Sequence, residues 1–160
     1  MTEQRLKVAA YAVCVREQRI LLARYVPPDG TERYWTLPGG KVEHAEDPYD
    51  AVGREVAEET GYESVVERLL GVDSRTRKVD WGIPGGAELQ SVGVFYRVRV
   101  TGGDLRHEVG GSTDLAAWIP VADVAGLVRS VIIDIAMGLE SAMPPDGHLQ
   151  SIPVSGVLRH

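Results

Sequence analysis

The apolar and polar positions of the chain fall into blocks of two different periods. Residues 7–15, rich in Val and Ala, read as a strand, and the polar run Arg16-Glu17-Gln18-Arg19 connects it to a second strand at 20–26. The two predict a hairpin. Pro27-Pro28-Asp29-Gly30 is a turn, and 34–37 reads as a short strand stopped by Pro38-Gly39-Gly40. The period then changes. Tyr49, Val52, Val56 and Thr60 recur at three- and four-residue steps, which predicts an amphipathic helix with Tyr49 on its core side. Asp47 before Pro48 suits its start, and Gly61 suits its end as a left-handed cap.

Beyond the helix, 65–71 and 90–100 read as strands, with 81–86 and 101–113 as loops and a short strand at 115–119. Helices are expected over 121–127 and 130–139, followed by an irregular tail over 143–160. No internal repeat, low-complexity tract or linker interrupts the chain. The expectation is one α/β domain over residues 1–160.

Composition narrows the class of function. The 160 residues are 44% hydrophobic and 25% charged, an ordinary globular balance. A single cysteine, Cys14, excludes a disulfide framework and a multi-cysteine zinc site, and on an apolar strand it reads as an inert buried thiol. No apolar run reaches the ~18 residues of a membrane span, and residues 1–7 lack a signal peptide's apolar stretch. A cytoplasmic setting is therefore expected.

Net charge is −6, but it is concentrated. Residues 43–63 hold eight acids and one base, Arg54, while the remainder holds 15 acids and 16 bases. No basic stripe marks a nucleic-acid surface. A cluster of carboxylates points to cations instead.

At about 100° per residue, Glu58, Glu55 and Glu59 lie near 180°, 240° and 280° from Tyr49, on one arc. Like charges three and four residues apart cost ~0.2–0.5 kcal/mol per pair, and acids near a helix C-terminus also face the negative end of the dipole. A solvated acidic face is the plain alternative, and these two penalties argue against it. Oxygen-only ligands select hard cations such as magnesium or manganese.

Gly40, five residues, Glu46, seven residues, then Arg54-Glu55-Val56-Ala57-Glu58-Glu59-Thr60-Gly61-Tyr62 resembles the Nudix box of the Nudix hydrolase family at every fixed position. The box covers 23 of the 160 residues, and Tyr62 replaces the usual aliphatic at its last position. The stretches Trp35-Thr36-Leu37-Pro38-Gly39-Gly40 and Ala117-Trp118-Ile119-Pro120 are similar to the family as well.

The resemblance implies an α/β/α sandwich with a mixed β-sheet, and metal-dependent hydrolysis of a nucleoside diphosphate linked to another moiety. It implies Glu55, Glu58 and Glu59 as metal ligands, joined by a backbone carbonyl at Gly39 or Gly40. Glu46 and Arg54 become a structural pair. It implies a general base on the helix or on a distal loop; the candidates are Glu55, within the box, and Glu108 and Asp114, by their position before the Trp118 strand.

Weaker readings concern substrate. Arg24 and Arg33 are candidate phosphate contacts, against the alternative of exposed charges at strand ends. Trp81 is a candidate base-stacking residue, against a role at the core edge. Trp35 and Trp118 read as core, and the histidines receive no role. Arg75, Arg77 and Lys78 suit a polyanionic substrate if their strand lies near the site. The proline typical of ADP-ribose hydrolases and the tyrosine typical of dinucleoside polyphosphate hydrolases are both missing from 77–80.

The partner expected is a small nucleotide derivative, with no nucleic acid and no membrane, and with room for a homodimer. Two other functions compete. A non-hydrolytic nucleotide-binding regulator usually loses box carboxylates, which this chain keeps. A diphosphate isomerase usually brings a catalytic cysteine, a role ill suited to Cys14 on a first strand.

Overall fold

The computed structural model describes residues 2–151, 156 and 158–159. In chain order the strands are β1 (Glu3–Val13), β2 (Val15–Arg16), β3 (Arg19–Tyr25), β4 (Tyr34–Thr36) and β5 (Gly39–Lys41), followed by helix α1 (Pro48–Thr60). Then come β6 (Tyr62–Val79), β7 (Ala87–Gly103), β8 (Thr113–Pro120), a 3-10 segment (Val121–Gly126), β9 (Arg129–Ser130), α2 (Val131–Ala142) and β10 (Leu158–Arg159).

Two sheets form. One has the order β5-β1-β7-β6, with β1 and β7 parallel and the other pairs antiparallel. The other runs β10-β9-β4-β3-β2, with β8 paired antiparallel to β3. Successive side chains of β1 point to opposite faces, and each face meets a different core. Val13 joins Phe95, Leu22, Leu37, Ile133 and Leu139 between the sheets and α2. Ala10 and Ala12 meet Val52, Val56 and Val98 under α1.

The hairpin of β1 and β3 expected from sequence is replaced by a divided arrangement. The first strand pairs with β7 and β5, and only Val15–Arg16 folds back on β3. The Pro38-Gly39-Gly40 stop is also incomplete, because Gly39–Lys41 continues as β5. The strands expected over 65–71 and 90–100 are far longer. From residue 73 to 78 both faces of β6 are polar, so no period-2 signal marks a strand that backbone pairing to β7 holds. The segment expected as a helix at 121–127 is 3-10 instead.

Helix α1 begins and ends where its caps predict. Asp47 Oδ1 accepts the Tyr49 amide at 2.8 Å, and Gly61 takes φ 78° while its amide donates to the Ala57 carbonyl. Its buried residues are Ala51, Val52, Val56, Glu59 and Thr60, an arc centred about 70° from Tyr49 on the wheel. Tyr49, placed on the core side by periodicity, is instead 54% exposed and packs edge-on against Tyr96. The rotation carries part of the acidic arc inward.

The tail expected as irregular over 143–160 contains β10, which extends the second sheet beside β9; its residues 152–155, 157 and 160 lie outside the described part.

Candidate active site

Loop, strand and helix converge on Arg54. Its guanidinium donates to both oxygens of Glu46 at 2.7 and 2.9 Å, to Glu55 at 3.1 Å and to Glu58 at 3.3 Å. It also reaches the Lys41 carbonyl on β5. Glu46 accepts the Glu43 amide besides, and these donors, Arg54 foremost, lower its pKa to about 2. Arg54 therefore fastens the loop and β5 to the helix while offsetting two of the three helix carboxylates.

Glu59 is held differently. It is only 3% exposed, and its Oε2 accepts the Gly39 amide at 3.1 Å. Gly39 has φ 151° and lies against the Ala10 carbonyl and the Tyr11 ring, where a side chain would collide. Gly40 leaves room of another kind, since a Cβ there would stand 2.6 Å from Glu55 Oε1. The two glycines let α1 press its carboxylates onto β5.

Burial raises the pKa of Glu59 well above the usual carboxylate value, and Glu55, Glu108 and Glu58 add repulsion. Burial likewise raises Glu55, although Arg54 counters it. Among the described residues these acids are not closed into a ready coordination shell; Glu55 and Glu58 turn to Arg54, and Glu59 turns to Gly39. Buried carboxylates raised by desolvation and mutual repulsion are a donor set that a divalent oxygen-seeking cation would relieve.

Glu55, Glu59, Gly39 and Gly40 open into a cleft of about 720 Å³. Tyr11, Lys7, Arg75, Arg77 and Ser91 line its wall on the first sheet, and Tyr25, Tyr34, Thr36 and Ser130 line its side on the second. Tyr25 and Tyr34 lie with ring centroids 5.1 Å apart.

The other residues singled out from sequence separate into groups. Arg24, Arg33 and Asp114 form one ion-pair cluster outside the cleft lining. Arg24 makes a two-pronged contact with Asp114 at 2.9 and 3.0 Å, and Arg33 approaches it at 3.0 Å. Asp114 stands on β8 rather than in a loop. Glu108 accepts the Thr113 amide and hydroxyl at 3.1 and 2.6 Å, and its charge is felt by Glu55 and Glu59. Glu58 lies at the exposed rim. Trp81 is 55% exposed between β6 and β7 and lines no part of the cleft.

Of the three cations expected on one strand, Arg75 and Arg77 face the cleft, whereas Lys78 does not. Lys7, Tyr11 and Lys41, which no motif marks, line the cleft as well. The signal for Lys7 was its place in an otherwise apolar strand, on the same alternating face as Tyr11.

Tyr62 explains its own departure from the box. Its ring packs against the α1 core, and its hydroxyl accepts the Trp118 indole N–H at 3.0 Å. Trp118 is half-buried there under the Arg16 guanidinium, 4.3 Å from the ring centre.

A model of the NUDIX domain matches residues 4–134. The chain belongs to the NUDIX family. A MutT-like protein of Streptomyces ambofaciens is 33% identical over 86% of this chain and 79% of its own length. An 8-oxo-(d)GTP phosphatase of Mycolicibacterium smegmatis is 33% identical over 54% of this chain, which amounts to only 24% of that protein. Among solved structures, a NUDIX hydrolase from Nitrosomonas europaea superposes with a TM-score of 0.70, covering 92% of this chain and 97% of the other at 22% identity. The enzyme class read from the box, a Nudix pyrophosphohydrolase, accords with this membership. No helix among the described residues is long and apolar enough to cross a membrane.

Proposed function

We propose that this Nudix protein hydrolyses a phosphoanhydride bond in a nucleoside diphosphate linked to a further group, with magnesium or manganese held by Glu55, Glu58 and Glu59. The observation that carries the reading is that buried Glu59 and Glu55 line one cleft together with Lys7, Arg75 and Arg77. A bound divalent cation supplies neutralisation of phosphate oxygens and acidification of water. The chain's own contribution is placement: Gly39 aims Glu59, Arg54 restrains Glu55 and Glu58, and the cleft orients the substrate.

Hydrolysis requires a water oxygen to bond one phosphorus while the bridging P–O bond breaks and its electron pair leaves with the other phosphate. The water's proton needs a carboxylate. Asp114 is a poor acceptor, because Arg24 holds its carboxyl below the usual value. Glu108 suits the task better, since it lies within the field of Glu55 and Glu59 and pairs with no arginine among the described residues. Glu55 remains the helix candidate. A regulator that binds nucleotide without turnover would have little use for the full carboxylate set.

The test is a panel of nucleoside triphosphates, ADP-ribose, NADH and dinucleoside polyphosphates with magnesium, reading released phosphate or pyrophosphate. Turnover of at least one compound, lost in Glu59→Gln, is expected. Binding without turnover across the panel would favour the regulator.

A further inference from the structure

The cleft-facing side of the first sheet carries more positive charge than its neighbours balance. Lys7 pairs across to Ser91, and Ser91 to Arg75, so these three form one row over β1, β7 and β6. Arg77 follows one row further out, beside Leu89. On the other side Ala9 pairs with Lys41 and Gly93, and Gly93 with Asp73, so Lys41 lies at the level between Lys7 and Tyr11. Arg75 is tied to Asp73 at 3.0 Å. Lys7, Lys41 and Arg77 have no carboxylate partner among the described residues, although all three line the cleft.

Such a grouping costs free energy when nothing anionic lies against it. Burial lowers the pKa of Lys7, and the neighbouring Arg77 and Lys41 add to this, while Glu55 opposes it. Tyr11 lines the cleft beside them, and the structure records no hydrogen bond of its hydroxyl among the described residues. Gly39 and Gly40, which meet Glu59 and Glu55, pair with Tyr11 and Ala10. At ~3.3 Å per residue, the row of Lys7 lies roughly 10–13 Å along β1 from them. The row of Lys7 and the two carboxylates thus stand at different levels of one cleft, with Lys41 between them.

We infer that Lys7, Arg77 and Lys41, with the Tyr11 hydroxyl, form a metal-free phosphate subsite for a phosphate group beyond the two joined by the bond that breaks. The inference rests on the proposed hydrolytic reading and adds a substrate class to it: compounds carrying at least three phosphates, or a diphosphate with a separate phosphomonoester.

Calorimetric titration with inorganic tripolyphosphate in EDTA reads the subsite without turnover. Wild type is expected to bind, Arg77→Gln and Lys7→Gln to weaken binding about 10-fold or more, and Arg77→Lys to keep most of it. Lys78→Gln, on the same strand but outside the cleft, should leave affinity unchanged, and melting curves check that each variant is folded. Absence of binding to wild type, or equal weakening by Lys78→Gln, overturns the subsite. With magnesium, Arg77→Gln should raise KM for a nucleoside triphosphate while sparing ADP-ribose; an equal rise for both overturns it as well. If wild type turns over nothing, the hydrolytic reading fails, and the titration in EDTA still decides the subsite.

Discussion

Glu59 at the end of the box helix and Gly39 on β5 are joined by a 3.1 Å hydrogen bond, from the glycine amide to the glutamate's Oε2. The bond places a carboxylate that burial would rather keep protonated at the inner edge of the cleft. A stability cost and a functional placement therefore meet in one side chain.

The first prediction follows from that cost. Because the folded-state pKa of Glu59 is raised, its contribution to stability is fully present below the ordinary value of 4.5 and is lost as pH rises through the folded value. In EDTA at neutral pH, Glu59→Gln should melt higher than wild type, at about 2–4 °C per kcal/mol for a chain of this size. The gap should close below the ordinary pKa. Magnesium should reverse the order by raising wild type more than Glu59→Gln or Glu58→Gln; an equal rise in all three refutes metal binding at this arc.

Glu46 and Arg54 form the loop-to-helix clasp. Glu46→Ala should lower Tm and weaken magnesium binding through a freed Arg54, and should cost less kcat than Glu59→Gln. The reverse ranking would mean that Glu46 itself acts in the chemistry.

The general base separates by kinetics. Replacing it with its amide should lower kcat by ~10²–10⁴ with magnesium affinity nearly unchanged. Glu108→Gln is expected to show this pattern, and Glu55→Gln to lose metal along with rate. Full activity in Glu108→Gln returns the role to the helix.

Asp114 gives the opposite dependence on pH from Glu59. Arg24 lowers its pKa below 3.8, so its contribution is full above that value and is lost as pH falls through the lowered folded pKa. Wild type should exceed Asp114→Asn in urea midpoint at pH 6–7, and the difference should shrink as the pH falls below 3.8. A constant difference would show that the ion pair contributes nothing.

The box helix was legible because its information is local. Asp47, Pro48 and Gly61 mark its ends, and the spacing of Glu55, Glu58 and Glu59 needs only a 3.6-residue turn to become one acidic arc. The clasp of Glu46 and Arg54 was legible only through the family resemblance. Other features depended on which strands pair. The direction of the arc was set when α1 rotated Glu59 inward and left Tyr49 outside. Arg24 and Asp114, 90 residues apart in the chain, became partners because β3 pairs with β8. The cationic wall exists because parallel pairing sets Lys7 of β1 beside Ser91, and antiparallel pairing sets Ser91 beside Arg75. Periodicity records which residues share a face of one element. It carries no record of backbone hydrogen bonds between distant segments, and those decide which faces look into the same cleft.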